Sequence, residues 1–290
     1  MELIKVGEKT YYIKNNTNIG VYKIDDNNVY LIDTGNDKEA GKKILKIITE
    51  QGWNVKGIIN THSNADHVGG NKVIQDRTNC QIMASKIEKS IVENPLLEPS
   101  FLYGGNPFLE LKNKFLMANE SVVTNNLSDL PEGLEWFSLK GHFFDMIGIK
   151  TLDNVVFLAD SLFSEETINK YHLFFIYDVC KYLKTLDELQ EMDAKLFIPS
   201  HCEATDNINH LIEVNKNKII EVADMIYNCC VNEVTFEEIL KFIFDKYNLA
   251  VNVNQYVLIG STIRSYLTYL YELNKIKYEF KDNKMVWSKK

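Results

Sequence analysis

No apolar run in this 290-residue chain approaches the roughly 18 residues of a membrane span. The N-terminal Met1-Glu2-Leu3-Ile4-Lys5 has no basic region leading into a long apolar segment, so a cytoplasmic protein is expected. Positive charge is in deficit. Lys and Arg number 32 against 40 Asp and Glu, and the net charge of −8 argues against a protein that wraps nucleic acid over its whole surface. Cysteine is sparse and odd in number: Cys80, Cys180, Cys202, Cys229 and Cys230 are scattered, which fits reduced thiols rather than a disulfide framework. Cys229-Cys230 reads as a buried pair on a helix, because adjacent helical positions point about 100° apart. There is no internal repeat and no low-complexity tract. What remains is ordinary for a globular chain, 45% hydrophobic and 25% charged, long enough for one large domain or two moderate ones.

The pattern along the chain alternates strand and helix. Tyr11-Ile13, Gly20-Ile24 and Val29-Ile32 are β-branched and aromatic, with a polar turn at Asp25-Asn28, and Asp33-Thr34-Gly35 closes the last of them. Residues 38–51 predict a helix, 57–60 a short strand, 71–77 a helix, 81–84 a strand and 85–92 a helix. Prolines and glycines break the rhythm over 94–107, a loop interleaved with Phe101, Tyr103 and Phe108; a substrate lid, satellite packing and an oligomer contact are all open for it. Strands return at 134–139, 146–151, 155–159 and 195–198, with helices at 165–170, 179–192 and 208–229. This predicts an α/β layered architecture. A composition break near residue 232 divides a domain of residues 1–232 from one of 233–290. The second part reads as two helices (235–247, with a capping box Thr235–Glu238, and 255–273) closed by a hairpin around Asp282-Asn283, which is winged-helix-like. Over 234–290 nine basic residues face six acidic ones, leaving −11 for the remainder.

Histidine is the scarcest informative residue, with six in the chain. Two fall in Thr61-His62-Ser63-Asn64-Ala65-Asp66-His67-Val68-Gly69-Gly70, directly after an apolar strand. Imidazole nitrogen and carboxylate oxygen are ligands that zinc and similar divalent cations favour, and the glycines allow a turn that aims them at one point. His142, Asp160 and His201 each follow or end another predicted strand. Strand ends in a layered α/β fold converge on one edge, where ligand sites sit. His172 and His210 lack such placement and read as structural. Cys202 adjoins His201 without a paired base and is not read as a nucleophile.

In order and approximate spacing, His62, Asp66, His67, His142, Asp160 and His201 resemble the metallo-β-lactamase superfamily, whose motif is H-x-H-x-D-H. The resemblance covers roughly residues 5–230 and implies an αββα sandwich with the metal site at one edge. It further implies that His62 and His142, with the residue at 64, form a first metal site. Asp66, His67 and His201 would form a second, and Asp160 would bridge them. The C-terminal part is similar to the winged-helix appendage of some lactamase-like hydrolases, which packs on the catalytic domain or on a partner subunit, so a homodimer is one expectation. The chain departs from the pattern at Asn64, where a neutral amide replaces the second imidazole, and at Phe143-Phe144-Asp145-Met146, which suggests a different substrate wall.

The resulting expectation is a metal-dependent hydrolase with Zn2+ as cofactor, one ion or two, with iron or manganese as open alternatives. A bound cation would lower the pKa of water and supply hydroxide to a small ester, thioester, lactone or amide. Asp66 would be catalytic, orienting that water or taking its proton. Asn64 is a weak metal ligand or a substrate contact, and Phe101 and Tyr103 belong to the lid reading. The alternatives are a nuclease or phosphodiesterase, against which the acidic catalytic region counts, and a non-catalytic metal-binding regulator. DNA binding is disfavoured because helix 255–273 has a single cation, Arg264, among Tyr256, Tyr266, Tyr269 and Tyr271.

Overall fold

The computed structural model describes residues 1–290. Its first six strands are β1 (Glu2–Lys5), β2 (Thr10–Lys14), β3 (Ile19–Lys23), β4 (Asn28–Ile32), β5 (Asn54–Ile59) and β6 (Gln81–Met83), in that order across one sheet. β1 to β4 form an antiparallel meander, and β5 and β6 add in parallel. The two parallel crossovers are helical. α1 (Lys38–Glu50) joins β4 to β5, and α2 (Ala65–Val68) with α3 (Asn71–Thr78) joins β5 to β6. α4 (Lys86–Glu93) and α5 (Leu97–Tyr103) follow. A second sheet holds β7 (Leu134–Ser138), β8 (Ile147–Thr151), β9 (Val155–Phe163) and β10 (Leu196–His201), in the order β10-β9-β8-β7.

Side-chain alternation shows how the layers stack. In β4, Val29 and Leu31 face one way and pack with Ile44, Leu45 and Ile48 of α1 and with Val73 and Ile74 of α3. Tyr30 and Ile32 face the other way and pack with Ile147 and Ile149 of β8 and Val155 and Phe157 of β9. A sheet buried on both faces must be apolar at successive positions, as β3 and β4 are. This gives a helix–sheet–sheet stack, as the strand–helix alternation predicted.

By contacts the chain forms two compact units interleaved in sequence. The first is Met1–Lys140, Phe144–Leu162 and Met192–Ile208, and the second is Gly141–Phe143, Phe163–Glu191 and Asn209–Lys290. The second unit contains α6 (Glu165–Tyr171), α7 (Val179–Gln190), α8 (Asn209–Cys229), α9 (Phe236–Tyr247) and α10 (Val253–Glu272). It also holds a three-stranded sheet of β11 (Val234–Thr235), β12 (Ile276–Lys281) and β13 (Lys284–Lys289). The composition break at 232 therefore falls inside this unit, just after α8. Thr235 and Glu238 form the expected capping box. Asp282 and Asn283 both adopt positive φ, the conformation a two-residue hairpin turn requires. On α10, Tyr266 is buried, whereas Tyr256 and Tyr271 remain largely exposed. The Arg264 guanidinium lies 3.7 Å from the centre of the Phe236 ring, so the one cation of this helix is already stacked.

Two expectations need correction. Residues 94–107 are not wholly loop: α5 occupies Leu97–Tyr103, with Pro99 in its first turn, where a missing backbone N–H costs nothing. Asp160 does not end a strand, because β9 continues to Phe163. Ala159, at φ +47°, bends that strand from within just before the aspartate. His210 is an exposed neighbour of Glu165 at 3.5 Å, and His172 stacks on Tyr247 with ring centres 4.4 Å apart. No helix is long and apolar enough to cross a membrane.

Candidate metal centre

The opening motif follows β5 and enters α2. Its backbone is held against the end of β4: Thr34 N–H donates to the His67 carbonyl at 2.7 Å. A Cβ at Gly70 would overlap the Thr34 carbonyl oxygen, and one at Gly69 would overlap the Asn36 backbone, so this close approach needs glycine at both positions. The turn brings two groups of side chains together. One ligand atom each from His62, His67 and Asp160 lie within 4.8 Å of one another, and the same holds for Asp66, His67 and His201.

Asp160 stands between two imidazoles. Its Oδ1 is 3.1 Å from His67 Nε2, and its Oδ2 is 3.2 Å from His201 Nε2. Asp66 Oδ2 lies 3.3 Å from His201 Nε2 and 3.6 Å from His67 Nε2, and it also accepts from the Thr17 hydroxyl at 3.0 Å. Donors held at about 2.0–2.1 Å from a tetrahedral cation are about 3.3 Å from each other, so this spacing fits one.

Each imidazole is oriented by its other nitrogen. His67 Nδ1–H donates to Asp33 Oδ2 at 2.8 Å, His201 Nδ1–H to the Asn16 carbonyl at 2.8 Å, and His142 Nδ1–H to the Phe175 carbonyl at 2.9 Å. For His62 the partner is the Thr61 hydroxyl, 3.1 Å from Nδ1. That hydroxyl gives its own proton to Asp33 Oδ2 at 2.7 Å, so it accepts from His62. In the neutral form of each ring these partners place the lone pair on Nε2, the arrangement in which an outer carboxylate or carbonyl fixes a metal-binding histidine. Asp33, one residue past β4 with φ +64°, thus orients His67 directly and His62 through Thr61. In the sequence it reads only as a turn residue.

Electrostatics agree with this donor set. Asp33, Glu88, Glu98 and Asp160 are all buried, and no lysine or arginine is. Burying carboxylates without a protein cation is expensive unless they are neutral or meet a metal. Burial opposes a charge on His67, but Asp160, Asp66 and Asp33 outweigh it and raise the ring well above the usual histidine range. His201 is raised in the same way, with Asp160 as the main opposing influence. Burial also opposes ionisation of Asp160, but His201 and His67 hold it well below the usual carboxylate range. Asp66 is also lowered, by His67 and His201 against desolvation; its side chain is 40% exposed, so solvent screens these interactions more than at Asp160. The pocket attracts positive charge, and the residues present fit a divalent cation.

The remaining sequence candidates fall as follows. His142 belongs to the second unit and is in neither ligand group. Asn64 Nδ2 donates to Glu98 Oε1 at 2.8 Å. Glu98, on α5, was not foreseen; burial raises its carboxyl well above the ordinary range. Phe101 packs edge-on against Phe144 at 4.9 Å between ring centres, and Tyr103, largely exposed, contacts Phe108 at 5.4 Å. Burial pushes the Cys202 thiol up to about 12, which agrees with reading it as no nucleophile.

Residues 13–201 match the family model described as the metallo-beta-lactamase superfamily. Among curated proteins, a hydroxyacylglutathione hydrolase of Erythrobacter litoralis is 41% identical over 54 residues, 18% of this chain and 22% of that protein. One of Methylococcus capsulatus is 30% identical over 69 residues, 21% of this chain and 27% of that protein. The chain thus spans only about a quarter of the length of these relatives. Among solved structures, a beta-lactamase domain protein from Burkholderia ambifaria aligns with TM-score 0.75 and 13% identity, covering 100% of this chain and 94% of that one. A metallo-beta-lactamase family protein from Thermus thermophilus aligns with TM-score 0.72 and 16% identity, covering 99% and 97%. At these identities the two structures show a shared fold.

Proposed function

The chain belongs to the metallo-β-lactamase superfamily, and from that premise we propose that it is a metal-dependent hydrolase of a small thioester, with ester, lactone and amide substrates next in order. The observation that carries the reading is the set of imidazoles whose Nδ1 atoms are all engaged, with the Nε2 atoms of His67 and His201 facing the Asp66 and Asp160 carboxylates. The partial likeness to hydroxyacylglutathione hydrolases favours the thioester. His62 with Asp160, and Asp66, His67 and His201 with the same aspartate, are the proposed ligands; His142 is included on the superfamily resemblance. Zinc is the default ion, one or two per chain. When bound, such a cation supplies Lewis acidity and brings the pKa of a water towards neutrality. Asp66, ionised and open to solvent, would orient that water or take its proton. Asp33 keeps His62 and His67 in the tautomer that points Nε2 inward.

Residues 233–290 are proposed as a winged-helix-like appendage, on the order α9, α10 and the β12–β13 hairpin with β11 paired to β13. Its role is packing, since Arg264 is stacked on Phe236.

The test is metal content joined to a substrate panel. Protein purified without added metal is expected to carry a transition metal and to cleave thioesters ahead of lactones and phosphodiesters, and His67→Ala is expected to lose both metal and activity. Absence of any transition metal, with none taken up on titration, would sink the reading. Activity unchanged in His67→Ala would assign it to a contaminant.

A further inference from the structure

The three-stranded sheet of the second unit runs β11-β13-β12, so β12 stands at its edge and pairs with β13 alone. The hairpin decides which backbone groups that edge exposes. The two-residue turn Asp282-Asn283 makes Lys281 and Lys284 its closing hydrogen-bonded pair, and bonded pairs recur at every second residue from there. Lys277, Glu279 and Lys281 therefore turn N–H and C=O towards β13. The same phase holds beyond the strand, where Lys290 N–H donates to the Lys275 carbonyl at 3.1 Å. The N–H and C=O of Ile276, Tyr278 and Phe280 point the other way, out of the sheet. Such an edge is a template for another strand unless something blunts it. β12 contains no proline, and its register with β13 is unbroken. Tyr278 and Phe280, on one face, are 43% and 72% exposed. On the other face the charges alternate: Lys277, Glu279, Lys281.

Two copies of one strand pair antiparallel about a two-fold axis, so some residue must lie opposite itself. Centring on Lys277 or Glu279 sets that residue against its own like charge, which is destabilising. Centring on Phe280 runs Tyr278 against Asp282, which is already in the turn. Centring on Tyr278 sets Lys277 against Glu279 of the copy on both sides of the axis, and Ile276 against Phe280. The outward backbone groups of Ile276, Tyr278 and Phe280 then meet one another, giving about six hydrogen bonds between the chains. We propose that β12 is a self-association edge, through which two copies of this chain pair antiparallel about Tyr278 and join their small sheets into one. Backbone bonds and aromatic side chains supply the affinity. The Lys277–Glu279 contacts choose the register, since exposed ion pairs add little affinity. A seam of one strand pair is smaller than the roughly 1,200 Å² of a standard interface, so a dissociation constant on the order of 10 μM is expected. The inference is independent of the hydrolase reading, and its test needs neither metal nor substrate.

Within one chain Lys277 Nζ already lies 2.7 Å from Glu279 Oε1, so the test must separate pairing within a chain from pairing between chains. Sedimentation velocity of the full chain from about 1 to 200 μM should show monomer and dimer in exchange. Phe280→Pro removes an outward N–H and nothing from the β12–β13 ladder. It should stay monomeric across that range with unchanged far-ultraviolet circular dichroism. Lys277→Glu and Glu279→Lys each set like charges across the seam, and each alone should weaken dimerisation by about tenfold or more. Mixed in equal amounts, the two variants should form a heterodimer about as tight as the parent dimer. Every Lys–Glu contact across the axis is then restored, while neither chain regains the pair within itself. That result stands even where Phe280→Pro fails to fold. The proposal is overturned by a parent that is monomeric throughout, by a mixture that associates no better than its two components, or by a dimer that persists in Phe280→Pro, which would place the contact on another surface.

Discussion

Glu88 and Glu98 stand ten residues apart on consecutive helices, both buried and both beside the His62–Gly70 motif, yet their surroundings differ. Glu88 accepts from Ser63 N–H at 3.0 Å, from the Ser63 hydroxyl at 2.6 Å and from Asp145 N–H at 2.7 Å. It therefore ties the residue after His62 to the segment entering β8, and its carboxyl is saturated. Glu98 meets a single donor, the Asn64 amide. Burial is the same at the two positions, so burial does not distinguish a structural carboxyl from a functional one. The number of donors differs: Glu88 holds the loop in place through three, and Glu98 is met by one.

The most damaging change should be Glu88→Ala. It leaves the Ser63 and Asp145 N–H groups without their acceptor, and urea unfolding should show a loss of about 3 kcal/mol or more. A loss as large from Glu98→Ala would abolish the contrast. Acidity sharpens it next. Burial raises the Glu88 carboxyl to about 7 despite its three donors. A group held more protonated in the folded chain gives stability that is complete below its unfolded pKa, near 4.5, and is lost as pH rises through about 7. The difference between parent and Glu88→Gln should therefore change by up to about 3 kcal/mol between pH 4.5 and pH 8, the free energy of a shift of this size. A pH-independent difference would contradict it. A third carboxylate tests whether saturation always means architecture. Asp33 accepts three hydrogen bonds, but one of them comes from His67 and another from the hydroxyl that orients His62. Asp33→Asn should cut metal affinity about 10- to 100-fold, read by competition with a chromophoric chelator, while leaving the far-ultraviolet circular dichroism unchanged. The smallest effect expected is on stability in Glu98→Ala, about 1 kcal/mol for one lost hydrogen bond, measured on metal-free protein.

The proposed ligand set was legible in the sequence because metal chemistry admits few residue types: histidines are scarce, and His62 and His67 lie in the turn and short helix that follow β5, while His201 ends β10. Alternating apolar residues in β2 to β4 revealed the strands, since both faces of that sheet are covered. What was hidden is the layer behind the ligands. Asp33 and Glu98 look like any other acidic residue, and the carbonyls of Asn16 and Phe175 leave no trace in the sequence at all. α5 was masked by Pro99, a helix breaker in most positions but harmless in a first turn. The extension of β9 through Asp160 was masked by Ala159, whose left-handed backbone no propensity would suggest.

The candidate ligand groups draw on residues 62, 66, 67, 160 and 201, with the orienting carboxylate at 33. No short segment contains more than part of either group, so nothing resembling the site exists until both sheets have closed on one another. Loops this long must be closed before the cation meets its full set of donors. A cation bound by the proposed ligands is therefore not expected to act as a nucleus for folding. Its contribution comes after the transition state and belongs to the unfolding limb of the kinetics: the loaded chain should fold at nearly the rate of the stripped one and come apart far more slowly.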